Sequence, residues 1–197
     1  MAEDREALLQ HYRMIREELL FAIDGLSDAL MTEPSLNGWS VKDHLAHLAL
    51  WDDIRASEVV RISAGNDSAW RMTGEQDAAY GAMGHDLRLN ISVEQIRWEL
   101  ATSRQRLLDA ISSATPRGLN GSLYGEAGLR SGHERQHAGW IKRWRGENPP
   151  RPAEAFYCGV FASQGGEQKK SGCNQRYSGI NNRTYETNAF HFVPPCQ

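Results

Sequence analysis

Leu129-Arg-Ser-Gly-His133-Glu-Arg-Gln-His137-Ala-Gly-Trp140-Ile141 sets two histidines one helical turn apart. On an α-helix, positions i and i+4 are rotated by only about 40°, so both imidazoles leave the same face. Leu129, Trp140 and Trp144 share that face, which should therefore point into a core rather than into water. Each buried imidazole carries two nitrogens that need partners. A divalent metal supplies one set of partners; neighbouring backbone and carboxylates supply another.

Working outward, the rest of the body reads as helices. Residues 4–31 carry Leu8, Leu9, Tyr12, Ile15, Leu19, Ile23, Leu26 and Leu30 at spacings of three and four, the pattern of one long amphipathic helix. Thr32-Glu-Pro-Ser-Leu-Asn-Gly38 is a connector rich in turn formers. Ser40 with Asp43 forms a near capping box, with Trp39 placed as a hydrophobic staple, and the helix it opens runs to Ala64. The inner stripe of that helix is Val41, Leu45, Leu48, Arg55, Val59 and Ile62. Asp77–Met83 reads as a short helix and residues 84–90 as a connection. Ser92 and Gln95 then open a helix that Thr115-Pro116 ends, and the last helix covers about 129–145. No alternation of apolar and polar residues before residue 150 marks a strand. The expected fold is all-α: a four-helix bundle over residues 1–147, followed by a long irregular C-terminal tail.

That tail, residues 148–197, holds Gly165-Gly166, Asn181-Asn182 and Pro194-Pro195 with no apolar period, and reads as a poorly ordered extension. All three cysteines (Cys158, Cys173 and Cys196) lie in it, which argues against a disulfide framework. The 197 residues carry a formal net charge of −3 and a pI near 6.2, so there is no basic footprint for nucleic acid. No run approaches the ~20 apolar residues that span a bilayer. The acidic, amphipathic start does not resemble a signal peptide, so the cytoplasm is the expected location.

A metal centre with an open position needs a third protein ligand. His11, His44, His47, His85 and His191 are available. Helix geometry leans toward His44, which lies nearer the centre of the stripe set by Val41, Leu48 and Arg55, while His47 lies at its edge. Asp52 and Asp53, one to two turns beyond His47, are candidates for orienting a ligand; a solvated helix face is the simpler reading for Asp53.

Trp39-Ser-Val-Lys-Asp-His-Leu-Ala-His47-Leu48 resembles the opening of the second helix in the DinB-like (DinB/YfiT) superfamily, in which a Trp-Ser start is followed by His-Leu at this distance. His133 and His137, followed by Trp140 and Ile141, resemble the family's last motif, and the likeness covers roughly residues 5–146. It implies a four-helix bundle with a divalent metal, zinc or nickel, on three histidines: His47, His133 and His137. His44 then takes a packing or ligand-supporting role. The resemblance also implies a small-molecule substrate, with a low-molecular-weight thiol as cosubstrate in a transferase, or a hydrolase reaction. A non-catalytic, stress-related binding bundle is the alternative from another class. A third reading comes from the residues themselves: His133-Glu-Arg-Gln-His137 matches the H-E-x-x-H of zinc peptidases, although no edge strand is expected and Glu134 points about 100° away from His133. Exposed faces on the first and third helices leave room for a homodimer by analogy with other bundles.

Overall fold

Asp4 accepts a hydrogen bond from the Ala7 N–H at 2.8 Å and starts α1 (Arg5–Ile23) in the computed structural model of the protein, which describes residues 2–36, 38–69, 74–125 and 128–147. The helix stops at Asp24-Gly25, where Gly25 takes φ +72°, a conformation that side-chain-bearing residues avoid. Ser27 then caps a separate short helix, α2 (Asp28–Thr32). The single helix expected over 4–31 is therefore two. Its apolar spacing runs on through Leu26 because the chain folds back over the end of the core and keeps Leu26 and Met31 buried.

Ser40 and Asp43 form a full capping box, with Ser40 N–H donating to Asp43 Oδ2 at 2.8 Å and Asp43 N–H to Ser40 Oγ at 3.2 Å. They open α3 (Val41–Ser63). Next comes α4 (Gly74–Asp86), longer than the expected 77–83. It continues through Gly84 because that glycine serves close packing rather than a break: a Cβ there would stand 2.6 Å from Leu50 Cδ2 on α3. Ser92 caps α5 (Val93–Ser113). The last helix, α6 (His133–Glu147), starts four residues later than Leu129. Leu129 is still fully buried, held by its carbonyl, which accepts from Tyr12 Oη at 2.5 Å.

Among the described residues there are six α-helices and no strand, only two isolated bridges. The long helix α3 lies along α5 and α1 lies along α6, while α1 also meets α5 and α3 meets α6. That closes the four long helices into a ring with α1 and α3 on one diagonal, an all-α four-helix bundle. No described helix is long and apolar enough to cross a membrane. The expectations for 148–197 lie outside the described residues.

The core is in two parts. One contains Leu19, Ile23, Met31, Leu45, Leu48, Ile96, Leu100, Ile141 and Trp144; the other contains Leu8, Tyr12, Ile15, Val59, Ile62, Leu107, Ile111 and Leu129. Between them, in sequence position on every long helix, stands one buried charge: Arg16 on α1, Asp52 on α3, Arg104 on α5 and Glu134 on α6. Arg16 donates from Nε to Glu134 Oε1 at 2.5 Å, from Nη2 to Asp52 Oδ2 at 2.8 Å and from Nη1 to the Leu100 carbonyl at 2.6 Å. Arg104 grips Asp52 through Nε at 2.9 Å and Nη2 at 3.1 Å, bonds Glu134 Oε2 through Nη2, and donates from Nη1 to the Tyr12 carbonyl at 2.5 Å. Two cations thus face two anions, and every donor nitrogen of both guanidiniums is engaged.

Removing one member of such a set leaves an uncompensated buried charge, a loss of about 3–5 kcal/mol, whereas an exposed ion pair contributes about 1 kcal/mol or less. Asp52→Ala is expected to lower unfolding stability by about 3–5 kcal/mol. Removal of the half-exposed Arg135–Glu18 pair should lower it by no more than about 1 kcal/mol. Urea unfolding of both variants checks the contrast, and equal losses would contradict it.

Candidate metal centre

The histidine centre is built by α3 and α6 alone. Ser40 fixes where α3 begins, so His44 and His47 fall on its first two turns, and Ser131 Oγ accepts from the His133 N–H at 3.2 Å where α6 begins. The two helices bring His47, His133 and His137 to one point. Nε2 of His133 lies 3.2 Å from Nε2 of His47 and 2.9 Å from Nε2 of His137. One ligand atom from each of the three lies within 4.8 Å of the others.

Those separations can be tested against a metal. Two nitrogens held at 2.0–2.1 Å from one ion at a tetrahedral angle are about 3.3 Å apart. Proton counting points the same way, because a neutral imidazole has a single N–H while Nε2 of His133 faces two other Nε2 atoms. Three nitrogens converging at these distances fit a shared cation better than a set of mutual hydrogen bonds.

Burial sets the charge state. It lowers His44 to about 4. Burial, followed by the neighbouring His133, lowers His47 to about 3. Burial and then Arg55 lower His133 to about 4, and burial holds His137 well below the usual imidazole range. All four rings are neutral at pH 7, the state a metal ligand requires.

His44 stands behind the centre. Its Nδ1 shares a 2.7 Å hydrogen bond with Nδ1 of His137. If His137 turns its Nε2 lone pair to the centre, its proton sits on Nδ1 and His44 Nδ1 accepts it. The other nitrogen of His44, Nε2, is buried without a hydrogen-bond partner beside the rings of Trp39 and Trp140. Trp39, expected only as a staple, also meets His47 edge-on at 5.3 Å and stacks on His85 at 5.3 Å and 15°. It walls the centre on the side of α4, where Gly81 lies against the His47 ring.

The remaining candidates go elsewhere. Asp52, expected to orient a ligand, spends both carboxylate oxygens on Arg16 and Arg104, because those guanidiniums approach it from α1 and α5, and it makes no hydrogen bond to a histidine among the described residues. Asp53 pairs at the surface with Arg106 at 2.7 Å. His11 donates from Nε2 to the Ser131 carbonyl at 2.8 Å, and His85 sits near Asp43 and Asp86. His191 lies outside the described residues. Glu134, the acid of the H-E-x-x-H reading, is held between Arg16 and Arg104. A general base must reach the attacking water, and this carboxylate is bound on both oxygens instead.

Neutral buried histidines make stability depend on pH. Each is protonated in the unfolded chain near 6.5 but in the folded one only near its lowered value, so between those points the unfolded state binds more protons. Metal-free protein is therefore expected to lose stability as pH falls from 7 to 5, by up to about 1.4 kcal/mol per pH unit for each histidine involved. Urea unfolding in a chelator at several pH values measures the slope; a flat profile would contradict the neutral burial.

The chain matches a family model described as the DinB superfamily over residues 11–141, a span that contains all four histidines of the centre and all four buried charges. No curated protein and no solved structure matches it significantly. The match covers well over half of the sequence, and the chain belongs to the DinB superfamily.

Proposed function

We propose that the protein is a metal-dependent enzyme of transferase or hydrolase type, with a divalent ion, zinc or nickel, held by His47, His133 and His137. The observation that carries this reading is the convergence of three neutral Nε2 atoms at 2.9 and 3.2 Å, with His44 supporting His137 from behind. Three imidazoles suit Zn(II) and Ni(II) alike and leave a coordination position for water or substrate. Bound there, the ion would act as a Lewis acid and lower the pKa of a coordinated water or thiol. A low-molecular-weight thiol is the proposed cosubstrate, with a small electrophile as its partner.

The chain's own residues set the conditions for that chemistry. Trp39, Trp51 and Trp140 pack on the imidazoles and limit water around them. His44 fixes the ring orientation and tautomer of His137. Glu134 and Asp52 neutralise Arg16 and Arg104 and take no proton from substrate in this arrangement.

Elemental mass spectrometry of the purified protein is expected to find about one divalent ion per chain. His47→Ala, His133→Ala and His137→Ala should each abolish retention, and His44→Ala should weaken affinity by about 10- to 100-fold. Protein whose melting temperature ignores added zinc and nickel, and is unchanged by the three substitutions, would defeat the metal reading. Metal-loaded protein that turns over no thiol with a panel of small electrophiles would defeat the thiol-transfer reading.

A further inference from the structure

A small pocket of about 20 Å³ opens beside His133, on the side facing the buried charges. Ile15, Leu48 and Trp51 give it apolar walls, and Asp52, Arg104 and Glu134 line it together with Arg55. The charges do not balance. Asp52 and Glu134 are matched by Arg16 and Arg104, which leaves Arg55, among the described residues that line the pocket, as the positive charge without a carboxylate partner.

Arg55 is half-buried on the inner stripe of α3. Its Nη1 donates to the Gly128 carbonyl and, at 3.2 Å, to the Leu129 carbonyl. Those bonds fix the guanidinium but consume only one of its edges. Among the described residues Nε and Nη2 have no acceptor, and no carboxylate lies within ion-pair distance. The Nε–Nη2 edge is the fork that takes a carboxylate through two parallel hydrogen bonds.

We propose that Arg55 is the anion-recognition residue of this site: a small carboxylate enters the pocket beside His133 and is held by the Nε–Nη2 edge. Pocket size and charge favour a carboxylate over a phosphate: about 20 Å³ takes little more than one water-sized group, so the carboxylate seats an oxygen there and stays at the mouth, and Asp52 and Glu134 in the wall would repel a dianion more strongly. Because His133 lines the same pocket, the carboxylate belongs to the substrate of the histidine centre. That assignment rests on the metal-centre reading; the anion site itself does not.

The test uses full-length, metal-free protein with ¹⁵N-labelled tryptophan at pH 7, because the Trp51 ring lines the pocket. Acetate is expected to shift the Trp51 indole resonance saturably, and its uncharged analogue acetamide is not. Arg55→Gln should weaken acetate binding by about 10- to 100-fold, the range for a charged hydrogen-bonded partner, with metal content unchanged. Should Arg55→Gln unfold on losing the Gly128 and Leu129 contacts, Arg55→Lys carries the test: it keeps the charge, loses the fork and should bind acetate several-fold more weakly than the parent. The proposal is overturned by an absent acetate response, by acetamide binding equally well, or by folded variants that bind acetate as the parent does. Acetate binding in protein that retains no metal under any condition upholds the anion site and removes the metal reading. Metal retention with no acetate response does the reverse.

Discussion

Four charges in the middle of an apolar bundle must be placed together or not at all. Arg16, Asp52, Arg104 and Glu134 come one from each long helix, and each is useful only when the other three are in position. Ridge-and-groove packing of leucines tolerates small slips between helices, because one apolar contact is much like another. The quartet does not, since a slip of one turn would leave buried charges about 5.4 Å from their partners. Arg16 and Arg104 add bonds to the carbonyls of Leu100 and Tyr12, so side-chain pairing also indexes the backbones of α1 and α5. Such a set supplies little net stability over a well-packed apolar layer, but it makes one helix register far better than its neighbours.

The histidine centre depends on that register. Glu134 follows His133 in sequence, so the carboxylate that locks α6 to α1 and α5 also sets the height and rotation at which His133 and His137 meet α3. Asp52 does the same from α3, just over one turn beyond His47. The sequence His-Glu-Arg-Gln-His is thus shared between two structures: its histidines belong to the centre and its glutamate to the quartet. A literal H-E-x-x-H reading assigns all three to one site, and the 100° turn between adjacent helical positions separates them.

Much of this was legible in the chain because it is local. The cap at Ser40, the spacing of His133 and His137 and the stripes of α3 and α5 follow from helix geometry within a few residues. The choice between His44 and His47 was harder, since both lie on a stripe wide enough to face α6. The structure engages both, His47 through Nε2 with His133 and His44 through Nδ1 with His137. The break at Gly25 was written in Asp24-Gly25 and Ser27, but an unbroken apolar spacing masks it. The quartet was not legible. A lone arginine or carboxylate on an apolar stripe looks like the edge of an amphipathic face, and its meaning comes from partners 30 to 118 positions away. The sign available in sequence was a balanced set, one charge per long helix: inside α1, α3 and α5 and in the first turn of α6. Sequence alone therefore points Asp52 to the nearest visible need, the histidines, whereas its partners lie on α1 and α5.

The contact between His47 and His133 joins positions 86 residues apart, with α4 and α5 inside the span. A cation shared by these rings would close that span into a ring of chain, as a disulfide does. By chain-entropy arguments, restricting an unfolded loop of this length is worth about 4–5 kcal/mol. With an ion bound, the centre would therefore be a topological fastener, and the folding equilibrium would favour retaining that ion whether or not the site carries out any chemistry.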